Sequence, residues 1–170
     1  MDSLASPEDE FFAYYQPHSK SSFRKAVKDL ENFIVAEGPF DGVIAFSQAS
    51  SLIAALLVEN AANKGTPKPQ PFRCAIIFSG RSPYIDAGLE GSSAARPDDE
   101  AVIKIPTAHI WGAKDDLEPG QPEALVEWCS PENRYTFVHR GGHEIPGSAD
   151  QEGIVGSVQV IRRALERMDS

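Results

Sequence analysis

A chain of 170 residues with 16 Lys and Arg against 25 Asp and Glu carries a formal charge of −9 at pH 7. That length predicts one domain, able to bury roughly two-thirds of the surface its unfolded chain exposes, and 41% hydrophobic against 24% charged residues is a globular balance rather than a disordered one. The acidic excess argues against nucleic acid and anionic membrane surfaces as partners, because both are held by basic faces.

Two cysteines, Cys74 and Cys129, have no C-x-x-C spacing; they are too few for a disulfide framework, give no support for a metal site, and read as buried thiols in a reducing compartment. Residues 1–10 are acidic and polar, without the basic and apolar stretches of a signal peptide, and are expected to form a flexible tail on a single domain spanning 1–170. The longest apolar run, Leu52 to Val58, is far shorter than the roughly 20 residues that span a bilayer. The expectation is a soluble, cytoplasmic protein.

In chain order, Ser21 or Ser22 is a candidate cap for a helix carrying Phe23, Val27, Leu30 and Ile34 at helical spacing and ending at Gly38. Gly42 to Phe46 is a short apolar run read as a strand, followed by Ser47 and an Ala- and Leu-rich helix from Gln48 to Lys64. A proline-broken linker leads to a second strand, Phe72 to Phe78, ending at Ser79-Gly80; a third is read at Thr107 to Trp111. A helix beginning near Pro122 runs to about Cys129, Tyr135 to His139 alternates as a fourth strand, and Asp150 to Met168 forms a last helix with Ile154, Val158, Ile161 and Leu165 as its core stripe. Strands separated by helices predict an α/β fold: a mainly parallel sheet flanked by helices on both faces.

Ligands of such sheets gather at the carboxyl ends of the strands, and the loops there hold Ser47, Ser79, Asp115 and His143. A serine hydroxyl is a weak nucleophile that needs an imidazole to take its proton and a carboxylate to hold the imidazole in the useful tautomer. The order Ser, Asp, His, with the serine in a tight strand-to-helix turn, is the order of the α/β-hydrolase arrangement. Its usual G-x-S-x-G window reads Ala45-Phe46-Ser47-Gln48-Ala49, with alanine, the next smallest residue, at both glycine positions. The Gln48 N–H lies at the start of the following helix, where it would meet a substrate oxyanion together with a second donor. For each residue a plain alternative stands beside this reading: Ser47 as a helix cap, His143 as a polar turn residue, Asp115 or Asp116 as a solvated loop charge, His109 as a hydrogen-bonded core histidine.

Three segments, Gly38-Pro39-Phe40-Asp41-Gly42-Val43-Ile44-Ala45-Phe46-Ser47-Gln48, Gly112-Ala113-Lys114-Asp115 and His139-Arg140-Gly141-Gly142-His143-Glu144-Ile145-Pro146, resemble the fungal FSH-type serine hydrolases over about residues 11 to 165. The resemblance implies an α/β-hydrolase fold and a triad of Ser47 as nucleophile, Asp115 as orienting acid and His143 as base. Asp115 is preferred to Asp116 because the family acid lies three residues after the loop glycine. It further implies a small-molecule ester or acyl-thioester substrate, including carrier-protein-bound chains released in fungal polyketide metabolism, and no cofactor. Tyr14, Tyr15, Pro83, Tyr84 and Ile85 are candidates for an acyl pocket, with Tyr15 and Tyr84 singled out as substrate-binding. Such proteins usually open with a strand and a His-Gly oxyanion loop that have no counterpart before Ser47. The expectation is therefore a truncated sheet with an open edge at Gly42 to Phe46 and impaired activity, or, as the alternative, an inert homologue acting as a binding module.

Overall fold

The computed structural model describes residues 13–62, 70–83 and 102–169. Its elements are α1 (Lys20–Glu37), β1 (Gly42–Phe46), α2 (Gln48–Ala62), β2 (Cys74–Phe78), β3 (Thr107–Gly112), α3 (Gln121–Val126), β4 (Arg134–His139) and α4 (Gln151–Met168). The four strands form one parallel sheet in the order β1-β2-β3-β4, with Ala45 opposite Ile77, Ile77 opposite His109 and His109 opposite Thr136. All four strands end on the same side, so their following loops share one rim. The expected tail at residues 1–10 lies outside the described residues.

Period-two alternation divides the sheet into two packed faces. Ala45, Ala75 and Ile77 join Leu52, Ile53, Leu56 and Leu57 of α2, and Phe23 and Val27 of α1, in one core. Ile76, Phe78, Ala108 and Ile110 face the other way, against Val160 and Ala164 of α4. The helix α2 is buried from Ser50 to Val58, packed between the sheet and α1, which explains its unbroken apolar composition.

Two local expectations are corrected. The cap of α1 is Ser19, in extended backbone geometry, whose Oγ accepts the Ser22 N–H at 3.3 Å; the helix thus begins ahead of Ser21 and Ser22. On α4 the buried line is Gly153, Gly156, Ser157, Val160 and Ala164, while Val158 and Leu165 of the expected stripe are 39% and 38% exposed. The helix turns its small residues inward because it lies so close to β4 that a Cβ on Gly156 would sit 2.2 Å from the Phe137 ring.

Among the described residues β1 pairs only with β2, and its α4-side residues Ile44 and Phe46 are 69% and 37% exposed. A groove of about 410 Å³ follows this open edge, lined by Tyr14, Leu30, Phe33, Val43 and Ile44 among others. Among the described residues no helix is long and apolar enough to cross a membrane.

Candidate functional site

The β1–α2 junction is a sharp turn. Ser47 has φ +52°, a left-handed conformation that costs a non-glycine residue on the order of 1–3 kcal/mol unless its surroundings hold it. They do so from both sides. The Ser47 N–H donates to the Phe78 carbonyl at 3.0 Å, and the Ser47 carbonyl accepts from the Ser50 N–H at 2.9 Å and the Ser50 hydroxyl at 2.5 Å. Fully buried Ser50 also accepts the Arg81 N–H at 2.8 Å, tying this turn to the loop after β2. Nothing in the spacing of the sequence singled Ser50 out; its role depends on that loop arriving overhead.

Beyond β3, Asp115 sits in a turn closed by its N–H on the Gly112 carbonyl at 3.1 Å, with its side chain 3% exposed. After β4, Gly141 and Gly142 bring the chain back over Gly112, so closely that a Cβ there would meet the Gly142 and Gly141 oxygens at 2.2 and 2.4 Å. Two bonds between the loops lock this crossing: Ala113 N–H to the His139 carbonyl at 2.7 Å and Lys114 N–H to the Gly141 carbonyl at 2.9 Å.

The same crossing sets His143 between the other two side chains. Its Nδ1 lies 2.8 Å from Asp115 Oδ2 and its Nε2 2.7 Å from Ser47 Oγ. A carboxylate only accepts, so Nδ1 carries the proton and Nε2 is left as the acceptor for the Ser47 hydroxyl. The Phe46 ring stands 5.1 Å from the imidazole, centre to centre, and His143 remains 15% exposed at its side chain, within reach of a small solute. Asp116, one residue on, points into solvent and touches neither partner.

The family model described as Serine hydrolase (FSH1) matches residues 3–154. The chain belongs to this family. Among relatives of the hydrolase, Esterase FPY3 of Fusarium mangiferae is 39% identical over 165 residues, covering 95% of this chain and 71% of that protein. Hydrolase phiM of another fungus is 32% identical over 162 residues, 88% of this chain and 68% of its own. In three dimensions the hydrolase overlays the crystal structure of Zea mays acyl-protein thioesterase 2 with a TM-score of 0.52 at 15% identity, over 91% of this chain and 70% of that one, a likeness of α/β-hydrolase fold.

The remaining candidates divide. Tyr15 is 3% exposed and packs edge-on against Phe23 at 4.9 Å, because the chain turns it inward ahead of α1. Its neighbour Tyr14 is 69% exposed and lines the groove beside β1. The Gln48 side chain grips both, with Oε1 accepting the Tyr14 N–H at 3.2 Å and Nε2 donating to the Tyr15 carbonyl at 3.3 Å. Tyr84 and Ile85 lie outside the described residues; Pro83 is buried. Ser79, also left-handed at φ +43°, is 1% exposed and its hydroxyl has no partner among the described residues.

His109 is sealed in β3 with Nε2 3.0 Å from Thr107 Oγ1, and burial, aided by the Arg134 charge, pushes its pKa down to about 3. Burial raises the Cys74 thiol and pushes Cys129 up to about 12, so both are poor nucleophiles near neutrality. Among the described residues no three His, Cys, Asp or Glu side chains converge on a metal-sized site.

Proposed function

We propose that this family member is a serine esterase or thioesterase that works through an acyl-serine intermediate on Ser47. The observation that carries the reading is the continuous relay from Ser47 Oγ to His143 Nε2 at 2.7 Å and from His143 Nδ1 to Asp115 Oδ2 at 2.8 Å. In acylation Ser47 Oγ attacks the carbonyl carbon as its proton passes to His143, and Asp115 stabilises the imidazolium. The tetrahedral oxyanion is met by the Gln48 N–H, one of the first-turn donors of α2 that have no acceptor within the helix. His143 then protonates the departing alcohol or thiol, and water repeats the sequence to free the acid. The left-handed turn at Ser47 supports the assignment, since it lifts the hydroxyl off the strand end toward the imidazole.

Similarity to a fungal esterase and to the fold of an acyl-protein thioesterase supports small-molecule esters and acyl thioesters as substrates. Acyl chains carried on a protein thiol in fungal secondary metabolism are the narrower class we put first. Two free cysteines suit a reducing, cytoplasmic setting. A fluorophosphonate probe tests the core of the reading: wild type and Ser79→Ala label, whereas Ser47→Ala does not. A folded wild type that never labels would favour the binding-module alternative.

A further inference from the structure

The loop that carries His143 has its own anchor. His139, the last residue of β4, is 2% exposed, and its Nδ1 accepts the Gly141 N–H at 3.1 Å. A backbone N–H donates and never accepts, so Nδ1 presents a lone pair and the ring proton of the neutral imidazole sits on Nε2. That nitrogen is buried and has no partner among the described residues. A leucine or phenylalanine would fill the space without stranding a buried N–H, so packing alone does not account for a histidine here.

Gly141 is held at both of its backbone polar groups, which belong to successive peptide units. Its N–H is bound by His139, and its carbonyl by the Lys114 N–H at 2.9 Å in the loop that also presents Asp115. The next carbonyl, of Gly142, accepts the Glu144 N–H at 2.9 Å and closes the turn around His143. Glycines at 141 and 142 offer no side chain to fix this peptide, and a Cβ on Gly141 would stand 2.9 Å from His139 Nδ1, which shows how tightly the ring is pressed against it. The acceptor at the δ position of residue 139 thus binds the backbone two residues before the imidazole of His143.

We propose that His139 is a positioning residue: through Nδ1 it orients the Gly141 peptide, and through that peptide it holds His143 in the relay between Ser47 and Asp115. The inference rests on the hydrolase reading for its effect on turnover, but the hydrogen bond itself can be judged without turnover. His139→Asn keeps an acceptor oxygen at the δ position, whereas His139→Leu keeps bulk and removes it. On a p-nitrophenyl ester, His139→Leu is expected to lower kcat on the order of 10- to 100-fold with KM changed less than about twofold, the mark of a misaligned reacting group rather than lost substrate binding. His139→Asn is expected to recover most of that loss. Imidazole ¹⁵N NMR of the wild type should show His139 as the Nε2–H tautomer and His143 as the Nδ1–H tautomer, the latter averaging between tautomers in His139→Leu.

Equal impairment of both variants, a fully active His139→Leu, or a His139 proton on Nδ1 would overturn the proposal. Should the wild type turn over no ester and resist the fluorophosphonate, the hydrolase reading fails. The two tautomers and their response to His139→Leu then decide the anchor on their own.

Discussion

Gly112→Ala tests the loop crossing most directly. The added methyl would sit 2.2 Å from the Gly142 oxygen, 2.4 Å from the Gly141 oxygen and 2.7 Å from the Gly141 carbonyl carbon, all backbone atoms that cannot rotate away. Relief to an ordinary contact of about 3.3 Å requires the two loops to part by roughly 1 Å, since cores absorb added methyls only by backbone shifts. That displacement stretches the 2.7 Å and 2.9 Å bonds from Ala113 and Lys114 beyond useful length. Two such bonds at about 1 kcal/mol each, with strain of similar size, amount to about 3 kcal/mol. For a domain of this length the expected fall in Tm is about 6–12 °C. The same parting carries His143 away from Asp115 and Ser47, now 2.8 and 2.7 Å distant, and a misplacement of about 1 Å typically lowers turnover on the order of 100-fold. Differential scanning fluorimetry and the rate of fluorophosphonate labelling read the two effects separately. A variant that melts within about 2 °C of wild type and labels at the wild-type rate would refute the account of how the loops are locked.

Three further outcomes are expected. Asp115→Asn should slow ester hydrolysis on the order of 10⁴-fold by favouring the wrong imidazole tautomer, while exposed Asp116→Asn stays within about twofold of wild type, both read as kcat/KM. Gly156→Ala, whose methyl would meet the Phe137 ring at 2.2 Å, should destabilise by about 1–3 kcal/mol in urea unfolding, with labelling at Ser47 retained well below the lowered midpoint. His109 remains neutral in the fold down to about pH 3, whereas the unfolded chain protonates it near 6.5. The unfolded state therefore binds the extra proton between those limits, and stability falls as pH is lowered through that window, by about 2 kcal/mol between pH 6.5 and 5. His109→Gln should show a correspondingly flatter loss over the same range in pH-dependent unfolding.

The alternation of strand and helix was legible in the chain because it is written locally. Runs such as Val43-Ile44-Ala45-Phe46 and Cys74-Ala75-Ile76-Ile77-Phe78 are apolar over strand length, and Gly38, Gly112 and Gly141 punctuate them. Once the strands are parallel, the residues following them share one rim, so Ser47, Ser79, Asp115 and His143 could be placed together from element order, while the choice of Asp115 over Asp116 came from the family resemblance. Local rules failed where two surfaces had to meet. The apolar count of α4 points to Ile154 and Val158, but the close approach of Gly156 to Phe137 turns its small residues inward. Residue type and position offered Tyr15 as a pocket-lining candidate, and only the packing of Phe23 against it shows how deeply it is enclosed.

What the amino-acid order determined alone is thus the element types, the parallel sheet and the set of loops at its carboxyl edge, all consequences of short-range periodicity and turn chemistry. Tertiary structure decided the rest: the 2.7 and 2.8 Å contacts between residues 96 and 28 positions apart, the crossing over Gly112, and the binding of the Gly141 peptide by His139. The physical reason is that each of these depends on how near two backbones come once strands are in register, a distance that no spacing along one chain encodes.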